Sequence, residues 1–133
     1  MRRSNRGFTL IEIMIVIAII GIVITIAAPS FTEYLNKGRR GEIAGMLSEQ
    51  AQILERFYSQ NNVYTNATGL SAGNDYYTIT PTLTDQTFLL TAVRKSGSSM
   101  ATDKCGDFTL SNTGVKSMVN AADGLTAKDC WGG

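Results

Sequence analysis

Few residues in this chain are equipped for chemistry. Glu12 is the single charge in an apolar run from Phe8 to Ala28. Cys105 and Cys130 are the two cysteines. A basic set, Arg94, Lys95, Lys104, Lys116 and Lys128, recurs through the C-terminal part. There is no histidine. The commonest general base near neutral pH and the commonest metal ligand are therefore missing, which sets aside Ser-His-Asp catalysis and zinc sites. The glycines are scattered or lie in turn-like stretches, so no phosphate-cradling loop is expected. Without a nucleophile–base pair or a metal-ligating cluster, the sequence points away from an enzyme and names no cofactor and no metal.

Glu12 is the informative residue because of where it lies. The run that contains it is about 21 residues long, close to the ~20 that cross a bilayer as a helix. A lone carboxylate in hydrocarbon costs a few kcal/mol even on lenient insertion scales, so it needs a partner or a route to the headgroups. Three readings of the segment compete. A secretory signal needs a shorter apolar core and a small-x-small cleavage site at its far end; Ala27-Ala28-Pro29 is a poor one, because proline hinders the cut. A plain signal anchor leaves Glu12 unexplained. In the third reading the chain is cut before the run, between Gly7 and Phe8, and the apolar block is retained.

Charge gives topology only in part. Arg2, Arg3 and Arg6 precede the run, while Lys37, Arg39 and Arg40 follow it. The first group is nearer the membrane, and Glu33 and Glu42 dilute the second. We read the orientation as N-in, C-out. Export in turn favours pairing of Cys105 with Cys130, whereas a cytosolic chain keeps separate buried thiols. Closing that loop is worth about 3–4 kcal/mol on the chain-entropy estimate. Apart from the first three arginines, nine basic and eleven acidic side chains remain. That balance carries no strong polyanion signal.

Pro29 lacks an amide donor and is expected to kink the helix at the membrane exit, with Gly21 and Thr25 adding local weakness. From Ser30 to about Tyr58 a second helical pattern places Ile43, Met46, Leu47, Leu54, Phe57 and Tyr58 at three- and four-residue spacing. Gly38, Gly41 and Gly45 weaken it by roughly 1 kcal/mol each relative to alanine. A polar connection follows from Asn61 to Asn74. Strands are expected at Tyr76–Thr80, Phe88–Arg94, Phe108–Ser111 and Val115–Met118, with a Pro81 turn after the first and an Asn112-Thr113-Gly114 hairpin between the last two. Asn66-Ala67-Thr68 matches a glycosylation tripeptide that is frequent by chance. Asp123 and Asp129 read as loop acids, and Trp131 as a packing anchor for the tail.

The junction Arg6-Gly7-Phe8-Thr9-Leu10-Ile11-Glu12 resembles the class III leader junction of type IV prepilins. The ending from Cys105 to Lys116, with Asp129-Cys130-Trp131, resembles small minor pilins of the PilE and ComP type within the type IVa pilin family. Glu55-Arg56-Phe57-Tyr58 and Tyr64-Thr65 look similar to the same group.

The resemblance implies an α+β pilin fold: a long N-terminal helix packed on an antiparallel sheet of about four strands, with a C-terminal disulfide loop. It implies a leader at residues 1–7 and a transmembrane assembly helix at 8–29. A periplasmic or extracellular head at 30–133 then comprises a helix at 30–58, an αβ-loop at 59–75, a sheet at 76–119 and a D-region at 105–130. It further implies that a prepilin peptidase/N-methyltransferase cuts after Gly7 and methylates Phe8. Glu12 would pair with the new amine of a neighbouring Phe8 during assembly, and Gly21 and Pro29 would let the helix loosen.

The implied partners are other pilin subunits through the N-terminal helix, the peptidase and an inner-membrane assembly platform. The protein would be a single-pass inner-membrane protein before assembly and part of an extracellular pilus afterwards. The expected function is that of a minor pilin in a retractable filament for pilus biogenesis, twitching motility and adhesion. One alternative is a DNA-uptake receptor of natural competence, with Arg94, Lys95, Lys104, Lys116 and Lys128 as a phosphate-binding stripe. Against it, Asp103, Asp107, Asp123 and Asp129 interleave with these residues. A type II secretion pseudopilin is the other alternative, although major pseudopilins more often carry a calcium loop where this chain has its cysteines.

Overall fold

The computed structural model describes residues 7–132. The order of elements is α1 (Leu10–Asn61), β1 (Tyr77–Leu83), β2 (Phe88–Arg94), β3 (Asp107–Ser111), β4 (Lys116–Val119) and α2 (Ala127–Trp131). Two compact units divide at Leu35/Asn36. Residues 1–6 of the leader expected at 1–7, with Arg2, Arg3 and Arg6, lie outside the described residues.

The first unit holds the opening part of α1. Its large apolar side chains, from Phe8 through Ile26 to Tyr34, are exposed. A helix apolar on every side is a membrane span or a core element, and the span of this one is unburied among the described residues. The helix continues through Pro29, which does not end it. Hydroxyls near it bond back to the helix: Thr25 Oγ1 donates to the Gly21 carbonyl at 2.8 Å and Thr32 Oγ1 to the Ala28 carbonyl at 3.1 Å. Such back-bonding is one way an apolar helix tolerates a proline.

In the second unit the rest of α1 lays Ile43, Leu47 and Leu54 on one face of the sheet, against Tyr77, Ile79, Phe88, Leu90, Ala92, Phe108 and Leu110. The expected stripe is thus largely right; Met46 and Tyr58 pack at its margin, half-buried. The four strands are antiparallel in the order β1-β2-β3-β4. Period-2 alternation is clear in β2, where Phe88, Leu90 and Ala92 are buried and Leu89 and Val93 face out.

The Pro81 turn is corrected: Pro81 lies within β1, opposite Leu90. The reason is local hydrogen bonding. Ile79 N–H donates to Ala72 and Tyr77 C=O accepts from Asn74, so odd-numbered residues of β1 direct their backbone groups away from β2. Pro81 shares that parity and β1 is an edge strand, so no ladder bond is lost by its missing N–H. The true turn comes later, closed by Thr84 N–H to Thr87 C=O at 2.9 Å.

Tyr77 is fully buried, with its ring edge-on to Phe108 at 5.9 Å. Its hydroxyl has no hydrogen-bond partner among the described residues. Burial, reinforced by the nearby Asp103 charge, raises its pKa. An unsatisfied buried hydroxyl is a liability. Tyr77→Phe is therefore expected to raise stability by about 1 kcal/mol, read as a higher urea midpoint for the detergent-solubilised chain.

Candidate functional site

In the first unit, chemistry gathers at the start of α1. Gly7, Phe8 and Thr9 precede the helix. Thr9 acts as its N-cap: Thr9 Oγ1 accepts from Glu12 N–H at 3.2 Å, and the Thr9 carbonyl accepts from Ile13 N–H at 3.2 Å. Glu12 is then the third helical residue, where the helix dipole favours a negative charge. Phe8 is 83% exposed. It shares a shallow apolar depression with Glu12, Ile13, Val16 and Ile17. A Cβ added at Gly7 or at Gly21 would meet nothing within 4 Å. The cap was readable as Thr9-x-x-Glu12, a capping-box pattern, yet sequence reasoning passed over Thr9.

The second candidate surrounds the disulfide. Cys105 and Cys130 are bonded, with Cα atoms 5.7 Å apart and a sequence separation of 25. Gly106 has φ +69°, and a Cβ there would collide with the Val119 carbonyl oxygen, so only glycine fits beside the first half-cystine. The short α2 is fixed by a capping box. Thr126 N–H donates to Asp129 Oδ2 at 2.8 Å, and Asp129 N–H donates back to Thr126 Oγ1 at 3.3 Å. The Thr126 backbone N–H, aided by the Thr126 side chain, holds the Asp129 carboxyl below the usual carboxylate range. Trp131 seats its ring against the edge of Phe108 at 5.4 Å, and its Nε1 donates to Ser117 C=O at 2.9 Å. The expected anchor role of Trp131 has a definite partner in β4.

The proposed basic stripe divides in two. Arg94 is engaged inside the fold: its N–H and Nε donate to Asp107 Oδ1 at 2.9 and 3.0 Å, and its Nη1 donates to the Asp103 carbonyl at 3.1 Å. Lys95, Lys104, Lys116 and Lys128 are exposed. Lys116 Nζ lies over the Trp131 ring at 5.6 Å. The interleaved acids divide likewise. Asp103 and Asp107 are buried, while Asp123 and Asp129 are exposed. Asp103 is paired with Arg40 of α1, Nε to Oδ2 at 2.9 Å and Nη2 to Oδ1 at 2.6 Å. Two of the four acids that argued against a phosphate-binding surface are thus neutralised internally.

Elsewhere the αβ connection packs through Tyr64, stacked on Tyr58 at 4.5 Å and edge-on to Phe88 at 5.1 Å. Burial and its hydrogen bond to Glu55 push the Tyr64 phenol up to about 12. No cluster of metal-ligating side chains occurs among the described residues.

Known proteins agree with this architecture. A family model described as "Type IV minor pilin ComP, DNA uptake sequence receptor" matches residues 29–109, more than half of the chain. The "Prokaryotic N-terminal methylation motif" matches residues 2–28. Fimbrial protein EcpC of Eikenella corrodens is 38% identical over 64 residues, which cover 48% of this chain and 42% of that protein. The type IV major pilin PilE of Neisseria gonorrhoeae is 33% identical over 64 residues, covering 48% and 38%. The matched stretch therefore spans less than half of either relative. A type IV pilin structure from Shewanella oneidensis has a TM-score of 0.57 at 31% identity, covering 74% of this chain and 99% of that one. The Neisseria meningitidis minor pilin PilV, at 23% identity and a TM-score of 0.55, shares the fold. With its methylation motif, spine helix, four-stranded sheet and disulfide loop, the chain belongs to the type IV minor pilin ComP family of type IV pilins.

Proposed function

We propose that the chain is a minor subunit of a type IV pilus. It is made with a leader, cut after Gly7, methylated on Phe8 and held N-in, C-out in the inner membrane by residues 8–29. It then joins the filament through α1. The observation that carries this reading is the exposed, all-round apolar start of α1, which contains one carboxylate, at its third residue. Hydrocarbon or neighbouring copies of the same helix suit such a surface. A new amine on Phe8 of a neighbour would offset the desolvation of Glu12 and set the axial register between subunits. Partners on this reading are other pilins, the prepilin peptidase/N-methyltransferase and the assembly platform.

Glu12→Ala is expected to be processed and inserted normally, yet to enter filaments about tenfold less, a loss that corresponds to one modest ion pair. Quantifying the subunit in sheared filaments against the membrane pool checks this. Equal incorporation removes Glu12 from assembly. Gly21 and Pro29 are proposed to give α1 the freedom to loosen during packing.

A second reading, reception of DNA by the pilin head, is favoured by the description of the matched family. Lys95, Lys104, Lys116 and Lys128 supply the cations, and the internal pairing of Asp103 and Asp107 lowers the opposing negative charge. Arg94 supports this surface from within and is not its contact. Duplex binding by the full chain in detergent should weaken steeply with salt; no binding at low salt removes this reading.

A further inference from the structure

Among the described residues three charged side chains are buried, Arg40, Asp103 and Asp107, and all three belong to one network. Arg40, on α1, is 3% exposed and grips Asp103, 7% exposed, through the two bonds given above. Asp103 Oδ2 also accepts from Cys105 N–H at 3.3 Å. The Asp103 carbonyl takes Arg94 Nη1, and Arg94 in turn holds Asp107 at the head of β3. Asp107 Oδ2 accepts from Asn120 Nδ2 at 3.4 Å, just past β4. Lys104 sits between Asp103 and Cys105, and its carbonyl accepts from Ala122 N–H at 2.8 Å.

A buried ion pair is a weak source of stability, because desolvating two ions offsets most of their attraction. Its particular contribution is direction. A planar guanidinium meets a carboxylate side by side in one arrangement, whereas apolar contacts such as those of Ile43 and Leu47 tolerate sliding.

We propose that Arg40–Asp103 is a positioning clamp. It sets residues 103–107 on α1 and, through the Cys105–Cys130 bond, sets α2 as well. Lys104 and Lys128 are thereby presented together to a polyanionic duplex that Arg40 never touches. The ligand in this proposal rests on the DNA reading above; the mechanical part does not.

The test uses the full chain in nanodiscs, with the apolar double variant R40M/D103L and the milder R40K, which keeps the charge but loses the fork. Amide hydrogen exchange is followed together with binding of a short DNA duplex across a salt series. In both variants, exchange at residues 102–107 and 126–131 is expected to quicken at least tenfold, with residues 88–93 unchanged. Duplex affinity is expected to fall about tenfold, and the slope of log affinity against log salt to shrink by about 1 as one phosphate contact is lost. A merely structural role would lower the competent fraction and leave that slope unchanged. If loop exchange stays at the wild-type rate in R40K and in any folded double variant, the clamp is overturned. The same holds if affinity and slope stay constant while the wild type binds. If the wild type binds no duplex, the DNA reading falls, and the exchange data alone decide the clamp.

Discussion

Replacing Gly7 with tryptophan is expected to leave nearly all of the chain in the membrane as full-length precursor, with none in filaments. The substitution is clean on the protein's own side, because a Cβ at this position meets nothing within 4 Å and the residue precedes the helix. Folding of the head and insertion of α1 should therefore be untouched. On the proposed cut, any effect arises in the peptidase, which must bring its catalytic groups up to the Gly7–Phe8 bond. A glycine permits close backbone approach, and a bulky side chain forbids it. The readout is intact mass of the membrane-extracted chain, which separates precursor from the product beginning at Phe8. Normal maturation would overturn the proposed cut, and with it the amine that Glu12 is proposed to meet.

Arg40→Met is expected to destabilise the head by about 3–5 kcal/mol, the usual consequence of leaving one partner of a buried ion pair alone. The asymmetry matters here. Asp103 is buried and retains the hydrogen bond from Cys105 N–H, but it loses both guanidinium bonds. The companion R40M/D103L removes both charges and should recover most of the loss, since an apolar pair of similar volume often replaces a buried ion pair without penalty. Denaturant unfolding of the solubilised full chain, monitored by Trp131 fluorescence, measures both variants. A loss below about 1 kcal/mol for the single variant would mean that water reaches Asp103.

What could be read from sequence was whatever is local. The β2 limits, Phe88–Arg94, coincide with expectation because alternation and flanking turn residues define a strand without outside help. The inward helix positions Ile43, Leu47 and Leu54 follow from periodicity. Cys105 and Cys130 paired as expected, there being no other cysteine to choose. Non-local geometry escaped. Arg40 entered the sequence argument only as part of a charge count, because its partner lies 63 residues away. Arg94, a phosphate contact only under the DNA-receptor alternative, looks free in sequence until Asp107 is placed beside it. Pro81 was read as a turn because proline disfavours strands in general, while the outcome depended on edge position and backbone parity, which come from pairing with β2 and with residues 72–74.

Pro81 also bears on life in a crowded membrane. On the pilus reading proposed above, copies of this chain held in one membrane lie at high effective concentration. Those are favourable conditions for sheets to zip together edge to edge into an irreversible ribbon. Half of the β1 margin is already occupied by residues 72–74, and Pro81 interrupts the other half. At the opposite margin, Trp131 occupies the Ser117 carbonyl of β4. On that pilus reading, stockpiled subunits stay separate molecules, and a filament drawn from such a store dissolves back into it.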